Sequence, residues 1–234
     1  MILSSSGKLK MPLLSSIGED GSETFFNSDY NEAYHSKIGA ITEAEYKFVK
    51  PSSLEKLLLN NNKEIRILDL FFGLGYNTGI SIDFAYKIKN NPGLQITAIE
   101  KDLEIISKIK ELKVPKWYKK WQNILYSLSK KPWVQFENIN IQLHLDSIFN
   151  LIDKLREKSF DVIFFDPFSH KVTPEFWTDD FLISIFKLLD IDGTFTTYSG
   201  LKRVEKLALE NNFEVKRIPA IGRKKSSLLL TRRY

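Results

Sequence analysis

The sequence predicts one doubly wound α/β unit built on a mostly parallel sheet, and three observations carry that prediction. From Ile65 onward, short runs rich in β-branched and aromatic residues alternate with segments whose apolar residues recur every three or four positions. These are the patterns of strands and of the crossover helices between them. Several strand-like runs are almost wholly apolar, as expected of a sheet covered on both faces. With 234 residues, 43% of them hydrophobic, the chain can bury one sizeable core.

Taken in order, residues 1–64 form a β-rich extension with a lead-in helix. "GKLKMPLLSS" and "GSETFFNS" read as a hairpin or meander, a polar and aromatic stretch follows, and "PSSLEKLLLN" is helical. Residues 65–234 form the α/β domain. Its first five strands are "IRILDLFF", "LQITAIE", "INIQLHLD", "FDVIFFD" and "GTFTTYS", with "TGISIDFAYKIKN", "FLISIFKLL" and "VEKLALENN" as helices. The last two strands, "FEVKRIPA" and "SSLLLTRR", are joined by "IGRKK", which is too short for a parallel crossover. A seven-stranded sheet therefore ends in an antiparallel C-terminal strand. Residues 103–138 enlarge the connection between the second and third strands and carry "VPKWYKKWQNILYSLSKKPW".

Composition removes several classes of function. No apolar run approaches the roughly 18 residues of a membrane span, and the first residues lack the pattern of a signal peptide. The reading is a cytoplasmic protein without a membrane partner. The absence of cysteine removes thiolate metal sites and disulfides, and His35, His144 and His170 are too scattered for a histidine metal cluster, so no metal is expected. The net charge of +5 is unevenly spread. Residues 101–138 hold nine lysines against four acids, and residues 201–234 hold ten Lys/Arg against three, leaving the remainder acidic. Two basic segments on an acidic body suggest a footprint for phosphates, with a solvated lysine-rich face as the ordinary alternative.

The first strand runs into "LDLFFGLGYNTG". Gly73 and Gly75 permit backbone angles closed to other residues and a close approach to a ligand, and a helix begins near Asn77 and Thr78. A G-x-G turn after a strand leaves the choice of nucleotide cofactor open. Glu100 closes the second strand, where a carboxylate can accept hydrogen bonds from both ribose hydroxyls. Asp69, Asp146 and Asp166 also fall at or near strand C-termini, so the four acids converge on one crevice. Each alone is explained as a helix cap, and for Asp146 that reading has equal weight. Together they suit a positively charged cofactor better than a pyrophosphate, which favours S-adenosylmethionine over NAD.

These residues resemble the methyltransferase domain of MnmC, a family acting on the wobble uridine of certain tRNAs. The resemblance is carried by "DGSETFFNSDYNEAYHSKIGAITEAEY", by "LDLFFGLGYNTG", by "DPFSHKVTPEFWT" and by the closing "IGRKKSSLLL". Three positions depart from the family pattern: Asp69 stands where Glu is usual, Pro167 replaces a small residue and His170 replaces Pro. The resemblance implies a Rossmann-like S-adenosylmethionine-dependent methyltransferase fold. It also implies methylation of the amine of 5-aminomethyl-2-thiouridine, with the tRNA anticodon stem-loop as partner. No FAD-dependent oxidase domain follows before Tyr234, which reads as a stand-alone form.

On that resemblance Asp166 is the catalytic residue, accepting an N–H bond from the attacking amine and stabilising its developing charge. Asp69, Gly73, Gly75, Asn77, Glu100, Asp146 and Tyr34 hold the cofactor. Phe168 and His35 face the substrate. RNA phosphates fall to Lys116, Lys119, Lys120, Arg217, Arg223, Lys224 and Lys225. Trp117 and Trp121, four apart, read as one packed helix face. A Ser169–His170 hydrolase pair is set aside for want of a G-x-S-x-G elbow. The competing readings are a small-amine methyl- or aminopropyltransferase and a non-catalytic tRNA-binding module.

Overall fold

The computed structural model describes residues 13–60, 63–115, 119–221 and 226–233, with the side chains of Lys119 and Lys120 outside the description. Three antiparallel strands, β1 (Leu14–Ile17), β2 (Glu23–Asn27) and β3 (Glu32–Ala33), form a small sheet. Helix α1 (Ala40–Glu43) continues into a π-helical stretch, Ala44–Val49, and α2 (Leu54–Asn60) follows. The main unit then runs β4 (Ile65–Leu70), α3 (Tyr76–Lys87), β5 (Leu94–Glu100), α4 (Leu103–Lys108), α5 (Lys119–Leu128), β6 (Trp133–Phe136) and β7 (Ile139–Leu145). It ends with α6 (Ile148–Leu151), β8 (Phe160–Phe165), α7 (Asp179–Leu188), β9 (Leu189–Thr197), α8 (Lys202–Glu210), β10 (Phe213–Ile218) and β11 (Ser227–Arg232).

The main sheet has the order β10-β11-β9-β8-β4-β5-β7-β6. The five strands from β9 to β7 are mutually parallel, while β11 runs antiparallel to β9 and β10 to β11. The fold class is as expected, but the sheet has eight strands rather than seven. The additional strand is β6, inside the basic insert. It turns back onto β7 through Glu137 and Asn138, with Glu137 in the left-handed region at φ 52°. Four residues next to a lysine pair carry too little periodicity to announce a strand. The polar and aromatic stretch before α2 also differs from expectation, because residues 40–49 are helical. Ile41, Ala44 and Phe48, spaced three and four apart, bury one face, and Glu43 and Lys47 form a buried i,i+4 ion pair.

Two cores follow from the alternation of side chains along the strands. On one face, Ile65 and Ile67 of β4 join Phe164 of β8, helices α3 and α5 and the N-terminal segment. On the other, Leu68 and Leu70 join Phe165, Phe195, α7 and α8. Chain order reverses at β4, with β5 on one side and β8 on the other, and crevices of open α/β sheets form at such a switch point beyond the strand C-termini. Trp121 belongs to the first core. It is fully buried and lies so close to Gly79 that a Cβ there would approach within 2.7 Å of the indole. The Trp121→Ala variant should lose about 3–5 kcal/mol of stability, read as a lowered urea midpoint.

Candidate active site

The crevice is a cavity whose floor is the turn after β4. Phe71 enters this turn at φ 63°, a conformation bulky residues rarely adopt, and Gly73 and Gly75 continue it at φ 56° and 78°. A Cβ on Gly75 would meet the Phe72 ring at 2.5 Å, so glycine is needed there for space as well as for angle. Gly75 is the residue before α3, and Tyr76 and Asn77 on its first turn line the cavity.

Glu100 sits at the end of β5, almost fully buried. Its Oε2 accepts from the Gly73 amide at 2.9 Å, and its Oε1 from the Lys101 and Asp102 amides at 2.8 Å each. Burial raises its pKa above the ordinary carboxylate value, against the lowering effect of those amides. The next acid, Asp102, accepts from the Tyr34 hydroxyl at 3.3 Å and from the Glu104 amide at 2.9 Å. Asp146 lies beyond β7 and also lines the cavity. Bonds from the Asn150 side chain at 2.8 Å and the Ser147 amide at 2.7 Å hold its pKa below the usual range, so it stabilises the local turn while facing the site.

Asp69 does not reach the cavity. It lies fully buried on the α3 face of β4, where Thr78 Oγ1 donates to its Oδ2 at 2.7 Å while Oδ1 is left without a partner. The Thr78 bond holds the short aspartate carboxyl beneath the floor rather than in the lining. Burial pushes its pKa up to about 7.

Asp166 follows β8, half-buried, and Asn77 Nδ2 stands 3.4 Å from its Oδ2. Its amide donates to Leu70 O of β4 at 3.4 Å, and the buried Pro167 comes next. Phe168 packs its ring against Tyr30 at 4.7 Å and Tyr34 at 5.0 Å between centroids. Its carbonyl accepts from Thr173 Oγ1 at 2.9 Å and Trp177 Nε1 at 3.0 Å. The Ser169 amide donates to Glu32 Oε2 at 2.9 Å, fastening this loop to the small N-terminal sheet. His170 is exposed and lies outside the lining.

Tyr34 and His35 both line the cavity. Burial beside Glu100 and Asp102 raises the Tyr34 pKa, keeping it a neutral donor. Thr24 Oγ1 lies 2.9 Å from His35 Nδ1, and the His35 ring meets Tyr76 edge-on at 5.2 Å. Sequence reasoning missed Glu43, Asp102, Tyr30 and Phe176 in the same wall. Glu43 was legible only once its helix was seen, through its i,i+4 spacing to Lys47. Burial alone would raise the Glu43 pKa, but Lys47, His35 and hydrogen bonds from Lys47 and Ser36 hold it at about 2.

Arg217 is not brought to the cavity. Its guanidinium pairs with Glu205 and donates to Ser226 Oγ at 3.0 Å. Lys116, Arg223, Lys224 and Lys225 lie outside the described residues, as do the side chains of Lys119 and Lys120. Six acids (Glu32, Glu43, Glu100, Asp102, Asp146 and Asp166) line the cavity against Lys101 and His35, an electrostatic match for a cationic ligand.

A family model described as S-adenosyl-L-methionine-dependent methyltransferase matches residues 109–232. The chain is similar to the crystal structure of MnmC2 from Aquifex aeolicus, with a TM-score of 0.82 at 33% identity over 94% of this chain and 70% of that one. It is 30% identical over 217 residues to an uncharacterized protein of Methanocaldococcus jannaschii, covering 90% of this chain and 57% of that protein. It is 29% identical over 220 residues to the tRNA 5-methylaminomethyl-2-thiouridine biosynthesis bifunctional protein MnmC of Campylobacter hominis, covering 87% of this chain and 30% of that protein. The chain thus spans about half the length of the first of these two proteins and under a third of the second. A probable spermidine synthase from Corynebacterium glutamicum, at 14% identity and a TM-score of 0.55, shares the fold alone.

The raised pKa of Asp69 sets a pH dependence. The folded state holds this proton more tightly than an unfolded chain, whose carboxyl titrates near about 3.9. The resulting stabilisation is complete below that value and is lost as pH rises through about 7. Urea unfolding across this range should therefore show wild-type stability falling relative to Asp69→Asn as pH increases. Parallel curves would mean that Asp69 titrates normally in the folded protein.

Proposed function

The chain belongs to the S-adenosyl-L-methionine-dependent methyltransferases, and on that premise we propose that it methylates the amine of 5-aminomethyl-2-thiouridine at the wobble position of tRNA. One observation carries the proposal: a half-buried carboxylate, Asp166, stands at the switch-point cavity beside Asn77 and next to the aromatic group Tyr30, Tyr34 and Phe168. A carboxylate against aromatic rings suits a flat base that carries a basic amine. The MnmC relative of Campylobacter hominis, named for 5-methylaminomethyl-2-thiouridine biosynthesis, supports the same substrate.

The cavity's donor set fits S-adenosylmethionine. Three backbone amides occupy both lone-pair sites of Glu100 Oε1 and one of Oε2, so Oε2 keeps acceptor capacity for one ribose hydroxyl. The Gly73 turn brings backbone close to the ligand, Ile99 and Ile148 supply apolar contacts, and Asp146 flanks them. When bound, the cofactor supplies an electrophilic methyl group on a sulfonium.

The protein's own contribution is placement and electrostatics. Asp166 accepts an N–H bond from the amine, aims its lone pair and stabilises the positive charge that grows on nitrogen. Asn77 holds the carboxylate in position. Phe168 covers the base, and its backbone is anchored by Thr173 and Trp177. The released proton passes to water, because an ordinary carboxylate is too weak a base to retain it.

The test is mass spectrometry of wobble nucleosides after incubating aminomethyl-bearing tRNA with protein and labelled cofactor. A gain of one methyl on that nucleoside is expected; label found only in small amines would overturn the assignment. Asp166→Asn should bind the cofactor as wild type does while losing about 10²-fold or more in turnover. Wild-type turnover in that variant would remove Asp166 from the reaction.

A further inference from the structure

Among the described residues, one end of the main sheet is left open on a single face. In β7, Ile139, Ile141 and Leu143 are buried in the first core, while the alternating Asn140, Gln142 and His144 are exposed or half-buried. The register sets Thr97 of β5 beside Gln142, and Gln142 beside Trp133 of the edge strand β6. Ile99, which lines the cavity, pairs with His144 in the same way. The open face therefore descends directly from the cavity mouth and ends at Trp133, about 10 Å across the sheet from β5 at ordinary strand spacing. Among the described residues it is an uncovered, polar half-sheet carrying a tryptophan, where the strand pattern predicts coverage on both faces.

Trp133 is 57% exposed, an uncommon position for the largest side chain. The Lys131 ammonium lies 4.4 Å from its ring centroid, and Lys130 lies 4.3 Å from that of Tyr126, itself exposed. Between residues 112 and 136 the sequence holds six lysines and no acid. The cavity next to this surface is acidic, so the positive charge here does not serve the cofactor.

We propose that this face is an RNA-binding platform over which the tRNA strand next to the target nucleotide runs, with a base on Trp133 and phosphates on Lys130 and Lys131. The proposal rests on the tRNA reading above. An aromatic ring offers a stacking surface that tolerates any base, and the side-chain amide of Gln142 and the hydroxyl of Thr97 match base and ribose edges. The lysine pair supplies the charge that phosphate requires. Protection of a bare sheet edge against pairing with a second copy is the other use of edge lysines. The two uses respond differently to charge reversal, since glutamate still protects an edge but repels phosphate.

The experiment measures binding of fluorescein-labelled tRNA, with and without the aminomethyl group, to the full chain by anisotropy over a range of salt. Cofactor affinity and sedimentation are followed in parallel. Lys130→Glu/Lys131→Glu should weaken tRNA binding about tenfold or more and make the log–log salt slope shallower by about one to two. Trp133→Ala should cost about tenfold. Cofactor affinity and oligomeric state should stay as in wild type. Wild-type tRNA affinity in both variants overturns the proposal, as does a shift to dimers with RNA binding intact, which would make the face an interface between copies. Binding that responds to these variants in a protein unable to methylate would retain the platform and remove the proposed reaction. Methylation with insensitive binding would do the reverse.

Discussion

Glu100 joins the two halves of the site. Its carboxylate, taken out of water at the end of β5, accepts the Gly73 amide from the turn after β4 and the two amides that open the turn after β5. Charge-assisted bonds to backbone donors are among the stronger polar contacts a protein makes, and a buried carboxylate without them would be costly. The two strand ends are thereby fixed relative to each other, and the cavity lies between the turns they lead into. Gly73 is held at φ 56°, close enough to Tyr34 for an added Cβ to touch its ring at 3.5 Å. The raised pKa of Glu100 reflects what burial costs here, and the amide donors are what keep that cost tolerable.

A second tie works from the other side. The Ser169 amide is bonded to Glu32 of β3, and Tyr30, Tyr34 and Phe168 pack together across the same gap. The small N-terminal sheet therefore closes the cavity over the loop that carries Asp166. Its own position is fixed by Tyr76, whose hydroxyl donates to Glu23 O at 2.6 Å, and the Phe48–Phe164 contact holds the π-helical stretch that follows it against β8. The N-terminal signature and the Asp-Pro-Phe-Ser signature, far apart in sequence, are thus two sides of one wall.

What could be read from sequence was whatever local pattern alone decides. β5 and β8 are visible because their residues are buried by position in a parallel sheet and leave near-continuous apolar runs. The cavity's acids are visible because strand ends are where such folds bind ligands. β6 was hidden because four residues between a lysine pair with proline and Glu137 have no period to detect, and its strand character comes only from pairing with β7. The helix at residues 40–49 was hidden differently: its apolar spacing is present, but among aromatic and charged residues the segment reads only as a polar and aromatic stretch, and with it Glu43 was lost. Asp69 shows the limit of position as a guide. It occurs where a cofactor ligand is expected, yet the hydroxyl of Thr78 holds it beneath the floor.

The charge distribution completes the physical picture. An acidic cavity attracts a cationic cofactor but repels the phosphates of a nucleic acid, so an RNA substrate cannot be held by the cavity itself. If the proposed tRNA is the substrate, its grip has to come from surfaces outside, with only the target nucleotide admitted past the acids. The lysine-bearing insert meets that need because it is threaded between β5 and β7, the two strands whose C-termini carry Glu100 and Asp146. The same insertion that adds β6 to the sheet therefore adds positive charge next to the acidic mouth. On the proposed tRNA reading, separation of the two charge signs by the width of two strands is what would let one small domain bind a cation within and a polyanion at its edge.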